Sequence, residues 1–258
     1  DVTDSTGTPA IQQKRYVHVV DHSAPAVVLS GDPMPSVECG GTYNDPGVIA
    51  IDLCEGNISS RVVVGGEAID LHTKGTYFPS YTVTDHSGNT SAPVYRQVTV
   101  EDTTPPAMTL NGPAMMTVEC SASQFVDPGV TAIDACDGNI SDQATTTGLA
   151  VDPTYPNLYT LTYHVSDGSG NSAPTVQRKV HVVDTTRPVI NLIGPASVDV
   201  GCNGVYTDAG ATASDVCDGD VSGNIVVTGS VDTTKPGDYT LSFDVADNSG
   251  NSAMTVTR

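Results

Sequence analysis

The chain has no tryptophan, three phenylalanines, and ten lysines and arginines against thirty aspartates and glutamates. A formal net charge of −20 repels phosphates, so nucleic acid is excluded as a partner and an anionic membrane surface is disfavoured. No apolar run approaches the ~20 residues of a spanning helix, so no membrane insertion is expected in this segment. No basic-then-apolar leader opens the sequence. Cys-x-x-Cys, the Gly-x-Ser-x-Gly elbow and the phosphate-binding loop are all missing. The histidines (His18, His22, His72, His86, His164 and His181) form no spaced pair with cysteines or carboxylates. Catalysis within these residues is not expected. With so few aromatics, any core must rest on Val, Ile, Leu and Ala, helped by a few Tyr and Phe.

What the chain does have is repetition. Gly75-Thr-Tyr77-Phe-Pro-Ser-Tyr81-Thr-Val83-Thr-Asp85-His-Ser-Gly88-Asn89 returns from Asn157 to Asn171 and again from Gly237 to Asn251. A truncated copy opens the chain at Asp4. Asp4, Asp85, Asp167 and Asp247 stand 81, 82 and 80 residues apart, the signature of a tandem array. Residues 1–21 read as the C-terminal strands of a preceding repeat. Repeat one is 22–102, repeat two 103–184 and repeat three 185–258, the last without its closing strand. The register suggests a window onto a longer array. The joints (Val20-Asp21-His-Ser-Ala-Pro25, Val100-Glu101-Asp102-Thr-Thr-Pro105, Val183-Asp184-Thr-Thr-Arg-Pro188) are short and proline-stiffened, which favours rigid end-to-end stacking.

Inside each repeat, brief apolar runs are bounded by Gly, Pro, Asn and Asp. Strands are expected at Ala26–Leu29, Ser36–Cys39 and Arg61–Val64, and at their counterparts, including Asp199–Cys202. Tyr239, Leu241, Phe243 and Val245 alternate with polar residues, the period of a half-buried strand. Asp-x-Ser-Gly-Asn then turns a tight hairpin. In repeat one Phe78-Pro79 interrupts this strand, suggesting a bulge or an edge. Six or seven short antiparallel strands per repeat make an all-β chain of tandem immunoglobulin-like sandwiches. Tyr77, Tyr159 and Tyr239 fit a tyrosine corner better than a ligand-stacking role.

The order Tyr-x-Asp-Pro-Gly, Asp-x-x-Asp-Gly-Asn-Ile-Ser, Gly-x-Tyr-x-x-x-Tyr-x-Val-x-Asp, then Ser-Gly-Asn resembles the bacterial immunoglobulin-like surface repeats. It is similar to the group that includes hyalin-repeat domains and their cadherin-like relatives. The resemblance covers every repeat and implies the fold more specifically than the task, since such repeats are mostly spacers. The cysteines depart from it, because many of those bacterial repeats lack them.

Those cysteines are Cys39 and Cys54, Cys120 and Cys136, Cys202 and Cys217, two per repeat and 15 or 16 apart. Pairing within each repeat is the simplest expectation. Such a staple is worth roughly 3 kcal/mol in a small domain. Disulfides in turn imply an extracellular or cell-surface location.

Two acidic constellations are candidate Ca²⁺ ligands. The first is a Gly-bearing turn built on Asp52, Asp134 and Asp215, rich in hard oxygens; the competing reading is an Asp-Gly turn that binds its own backbone. The second is the joint, where Asp21, Asp102 and Asp184 would be approached by the hairpin residues Asp85, Asp167 and Asp247. Converging carboxylates there would repel unless neutralised, an interdomain Ca²⁺ site similar to the cadherin arrangement. The competing reading has each hairpin Asp capping its own turn. Asn57-Ile-Ser59, Asn89-Thr-Ser91 and Asn139-Ile-Ser141 match the glycosylation acceptor.

The expected function is structural: a rod, stalk or filament body at the cell surface, an adhesin spacer or appendage. Its partners would be further copies of the repeat, in the same or neighbouring chains, and a cell-surface ligand. A glycan- or protein-binding adhesive module, or the accessory repeats of a large secreted enzyme, are the alternatives.

Overall fold

The computed structural model describes residues 2–121 and 123–258. Two compact units divide between Thr104 and Pro105, and the second holds repeats two and three. Among the described residues there is no α-helix, only short strands and three 3₁₀ turns.

Repeat two shows the plan most completely. One sheet pairs Ala107–Leu110 with Val130–Asp134, and that strand with Gly138–Asn139. The other runs Met115–Glu119, Val176–Val183, Asn157–His164, Thr145–Thr147. Met115–Glu119 joins in parallel and the remaining pairs are antiparallel. The alternation read in the sequence holds: Tyr159, Leu161 and Tyr163 are buried, and Val180 and Val182 meet them from the next strand. Repeat three builds its core in the same way from Leu241, Phe243 and Val245 with Ile190, Ala213 and Val221.

Repeat one departs from the plan. The long strand breaks at Phe78, between Gly75–Tyr77 and Pro79–Thr82, and its sheet divides into two three-stranded pieces. Pro79 has no N–H to give the ladder, and the backbone carbonyl of Phe78 turns instead to Glu67 N–H.

The expected strand at Asp199–Cys202 is not formed. Its equivalent in repeat two pairs with Lys179–Val183. Residues 10–21 likewise form no strand. Before them Thr3 and Pro9 bridge a small hairpin whose turn hangs on Asp4.

The tyrosine corner is present in all three repeats. Tyr77, Tyr159 and Tyr239 each donate a hydroxyl proton to the carbonyl four residues upstream, at 2.8, 3.2 and 3.0 Å.

An arginine sits in each sandwich. Arg96 and Arg178 are fully buried, which only a dense set of acceptors makes tolerable. The Arg178 guanidinium donates to the carbonyls of Asn111 and Gly129 at 2.8 and 3.0 Å, and its Nε lies 3.3 Å from Asp127. Arg96 repeats this with Ser30, Gly47 and Asp45, and Arg258 with Ile193 and Asp208. The arginine thus ties the turn after the first strand to the Asp-x-Gly turn.

Candidate functional site at the joint between repeats

The acidic turn follows the second strand of its sheet and closes against itself. In repeat three, Asp215 Oδ1 accepts from the backbone N–H groups of Cys217 and Asp218, at 2.7 and 3.1 Å. Gly219, at φ +71°, reverses the chain. Ser222 Oγ then accepts from Ala213 N–H at 2.9 Å and secures the 3₁₀ turn that follows. Ser59 and Ser141 do the same for Ala50 and Ala132, and Ser91 Oγ accepts from Val83 N–H at 3.1 Å, so all three glycosylation-type motifs have a structural use for their serine.

The next acidic residue ties this turn to the hairpin. Asp218 Oδ2 accepts from Asn248 N–H at 2.7 Å, as Asp137 does from Gly168 and Glu55 from His86. Glu55 also meets Arg61. The His86 backbone N–H, ahead of the Arg61 guanidinium, draws the Glu55 carboxyl down to about 2.

The hairpin aspartates cap their own turns. Both oxygens of Asp247 are taken up by Asn251, one by its backbone N–H at 2.7 Å and the other by its side-chain amide at 2.9 Å. Asp85 and Asn89, and Asp167 and Asn171, are arranged alike. Burial pushes the carboxyls of Asp85 and Asp167 up, but these hydrogen bonds outweigh it and the net shift is downward. The asparagine of the hairpin reaches the joint: Asn251 Nδ2 donates to the Asp184 carbonyl at 3.1 Å, and Asn89 Nδ2 to that of Asp21 at 3.3 Å.

Between repeats two and three the joint aspartate meets the acidic turn. Carboxylate oxygens of Asp184, Asp215 and Asp218 lie within 4.8 Å of one another. Asp184 Oδ1 is held by Thr186, while its Oδ2 and that of Asp215 are buried without a hydrogen-bond partner. Two buried anionic oxygens side by side repel, and hard oxygens at this spacing suit a divalent cation such as Ca²⁺. Near the start of repeat one, Asp21 and Asp52 gather the same way, again with unpartnered Oδ2 atoms, but the third member is the Cys54 thiol. A thiol is a poor Ca²⁺ ligand. Desolvation and the Asp21 carboxylate raise its pKa. Asp102 is buried, 3.9 Å from Lys74 Nζ, and Asp134 receives the N–H groups of its own turn.

The cysteines correct the expected pairing. Cys120 of repeat two is bonded to Cys217 of repeat three, 97 residues away, with Cα atoms 5.6 Å apart. Cys54 and Cys202 are exposed free thiols. The bonds expected between Cys39 and Cys54, Cys120 and Cys136, and Cys202 and Cys217 are therefore not formed. The physical reason is polarity. Cys120 N–H donates to the Val183 carbonyl at the C-terminal pole of its repeat. The acidic turn that bears Cys136 lies against the hairpin at the opposite pole. The strand Val130–Asp134 separates them, about 17 Å at 3.4 Å per residue, whereas a disulfide spans Cα atoms no more than about 7 Å apart. Closeness in sequence placed the two cysteines at opposite ends of one sandwich. The Cys217 sulfur also lies 3.7 Å from the Thr154 carbonyl of repeat two. The sequence sets out both halves of this site, the joint and the acidic turn. Sequence reasoning missed Asp218 and the inter-repeat bond; the matched cysteine registers were the available signal.

A family model described as a bacterial surface protein, Ig-like domain, matches residues 27–100, 108–182 and 190–258. Hyalin of Strongylocentrotus purpuratus is 28% identical over 92% of this chain, which covers 20% of hyalin. The pesticidal crystal protein Cry22Aa of Bacillus thuringiensis is 25% identical over 84% of this chain, covering 31% of that protein. The chain thus spans a fifth to a third of these relatives. Among solved structures, domains 4–9 of the surface layer protein SbsC align at 15% identity and a TM-score of 0.24, over 93% of this chain and 50% of that one. Human protocadherin-24 EC1-2 aligns at 14% and 0.29, over 63% and 100%.

Proposed function

The chain belongs to the bacterial surface Ig-like family, and on that premise we propose that it is a load-bearing extracellular spacer: the body of a rod, stalk or filament at the cell surface. The observation that carries this reading is the Cys120–Cys217 bond, which ties one repeat to the next across their joint. A module selected only to bind a ligand has no need to lock its neighbours together. A covalently secured joint keeps its form under tension and in an oxidising medium.

Ca²⁺ is the second element of the proposal. Asp184, Asp215 and Asp218 would hold it at the joint between repeats two and three. Bound there, it would neutralise the unpartnered oxygens of Asp184 and Asp215 and draw the acidic turn onto the joint. The three carboxylates act as ligands and the Asn251 amide fixes the joint backbone beside them. Further copies of the repeat, and a surface ligand held at a distance, are the partners assigned. No catalysis is assigned to these residues.

The test is location. Antibody raised against this chain should label a stalk, fibre or coat outside intact cells of the source organism. Label confined to the cell interior, or to soluble material in the medium, would overturn the reading.

A further inference from the structure

Every repeat carries the same two cysteine registers, one at the C-terminal pole (Cys39, Cys120, Cys202) and one in the acidic turn (Cys54, Cys136, Cys217). Between repeats two and three the upstream register of one repeat is bonded to the downstream register of the next. The two free thiols, Cys202 and Cys54, are the upstream and the downstream member that this pairing leaves open.

The receiving place for a further sulfur is already shaped. In repeat two, Cys120 lies where Ser121 N–H donates to the Pro153 carbonyl, and the incoming Cys217 sulfur rests 3.7 Å from the Thr154 carbonyl. In repeat three, Asn203 N–H donates to the Thr233 carbonyl at 2.8 Å, and the Cys202 sulfur itself rests 3.8 Å from the carbonyl of Thr234. Thr154 and Thr234 both stand five residues before the corner tyrosine. The pole of repeat three thus presents its thiol against the wall that, one repeat earlier, lines a completed bond.

We propose that the Cys120–Cys217 bond is one rung of a continuous disulfide ladder, and that Cys202 and Cys54 are its open ends, each closing on the opposite register of a further copy of this repeat. Closure is an oxidation. With a glutathione disulfide as oxidant, the thiolate of one cysteine displaces one glutathione thiolate, and the second cysteine displaces the other. One protein disulfide forms and two glutathione thiols leave.

The ladder has a mechanical meaning, and only this part rests on the load-bearing reading above. A rung enters repeat three at Cys217, and the next leaves from Cys202, 15 residues back along the chain. The covalent route through that repeat is therefore 15 residues, not the period of about 81. At roughly 3.4 Å per extended residue this is about 50 Å rather than about 275 Å. Unfolding a repeat within the ladder would scarcely lengthen the array.

The experiment mixes ¹⁴N- and ¹⁵N-labelled copies of the 258-residue chain, oxidises them with oxidised glutathione, and maps the linked peptides by mass spectrometry. The expected product is a Cys202–Cys54 peptide of mixed label in species of twice the chain mass or more, lost in C202S. Glutathione adducts on both thiols without that peptide, or a bond from Cys54 to Cys39, would overturn the ladder. Stretching single oxidised chains held by their two ends separates this outcome from the load-bearing reading. The Cys120–Cys217 bond shuts the 97 residues between its cysteines out of the extension, so the fully extended length should grow by roughly 330 Å or more, at about 3.4 Å per residue, only after reductant is added; that full length reached before it would overturn the mechanical part and leave the location test untouched.

Discussion

The hydroxyl of Tyr163 lies 2.8 Å from both carboxylate oxygens of Asp127. In repeat three the equivalent position is Phe243, which has no hydroxyl, yet Asp208 is served all the same: Tyr206, two residues upstream, donates at 2.6 Å. Repeat two has Phe125 where repeat three has Tyr206. The two repeats satisfy the same aspartate with tyrosines from different positions in the chain. Repeat one has tyrosine at both places; Tyr81 takes Asp45, and the buried Tyr43 hydroxyl is left without a partner.

This exchange predicts a rescue. Tyr163→Phe should cost repeat two about 1 kcal/mol, the usual net worth of a hydrogen bond. Adding Phe125→Tyr should recover most of it. Chemical denaturation of the single and double variants decides the matter. A double variant no more stable than Tyr163→Phe alone would show that the two positions are not interchangeable.

Glu55 predicts an acid sensitivity in repeat one. Its carboxyl titrates near 2 in the folded chain, against an ordinary 4.5. A depressed folded value stabilises fully above the unfolded value and is lost as pH falls from about 4.5 toward 2. The melting temperature of the wild type should therefore exceed that of Glu55→Gln most above pH 5, with the gap closing near pH 2. A gap that stays constant across that range would refute the linkage.

The joint predicts a cation response. Millimolar CaCl₂, in the range of extracellular sites, should raise the melting temperature of the wild type relative to EDTA. In D184N/D215N the repulsion is gone, so that variant should melt higher than wild type in EDTA and should not respond to Ca²⁺. A wild type indifferent to Ca²⁺ in calorimetry would remove the ion from the joint.

The fold was legible because its signals are local. The period-two alternation of Tyr239 to Val245, the Asp-Gly turns and the tyrosine corner each sit within a few residues of sequence. Pro79 likewise announced the break at Phe78. The site was half legible. Asp184 and Asp215 could be picked out as carboxylates in special turns, but their meeting depends on which turn lies at which pole, a relation across repeats that no local pattern carries. The cysteines misled for the same reason. Fifteen residues of separation suggests a small loop only until a whole strand is found to run between them. The buried arginines were visible merely as a mark of register. Their backbone carbonyls come from two separate turns, and carbonyls leave no trace in a sequence.

The parallel pairing of Met115–Glu119 with Lys179–Val183 sets how such a repeat yields. Tension applied to the two ends of a repeat draws parallel neighbours past each other along their length. Their hydrogen bonds are then loaded together in shear, where an antiparallel pair pulled from one end would peel apart one bond at a time. Repeat two has five residue pairs in this clamp and repeat one has three, Ser36–Glu38 against Thr99–Glu101. Of these two repeats, the one interrupted at Phe78 is the one that gives way first.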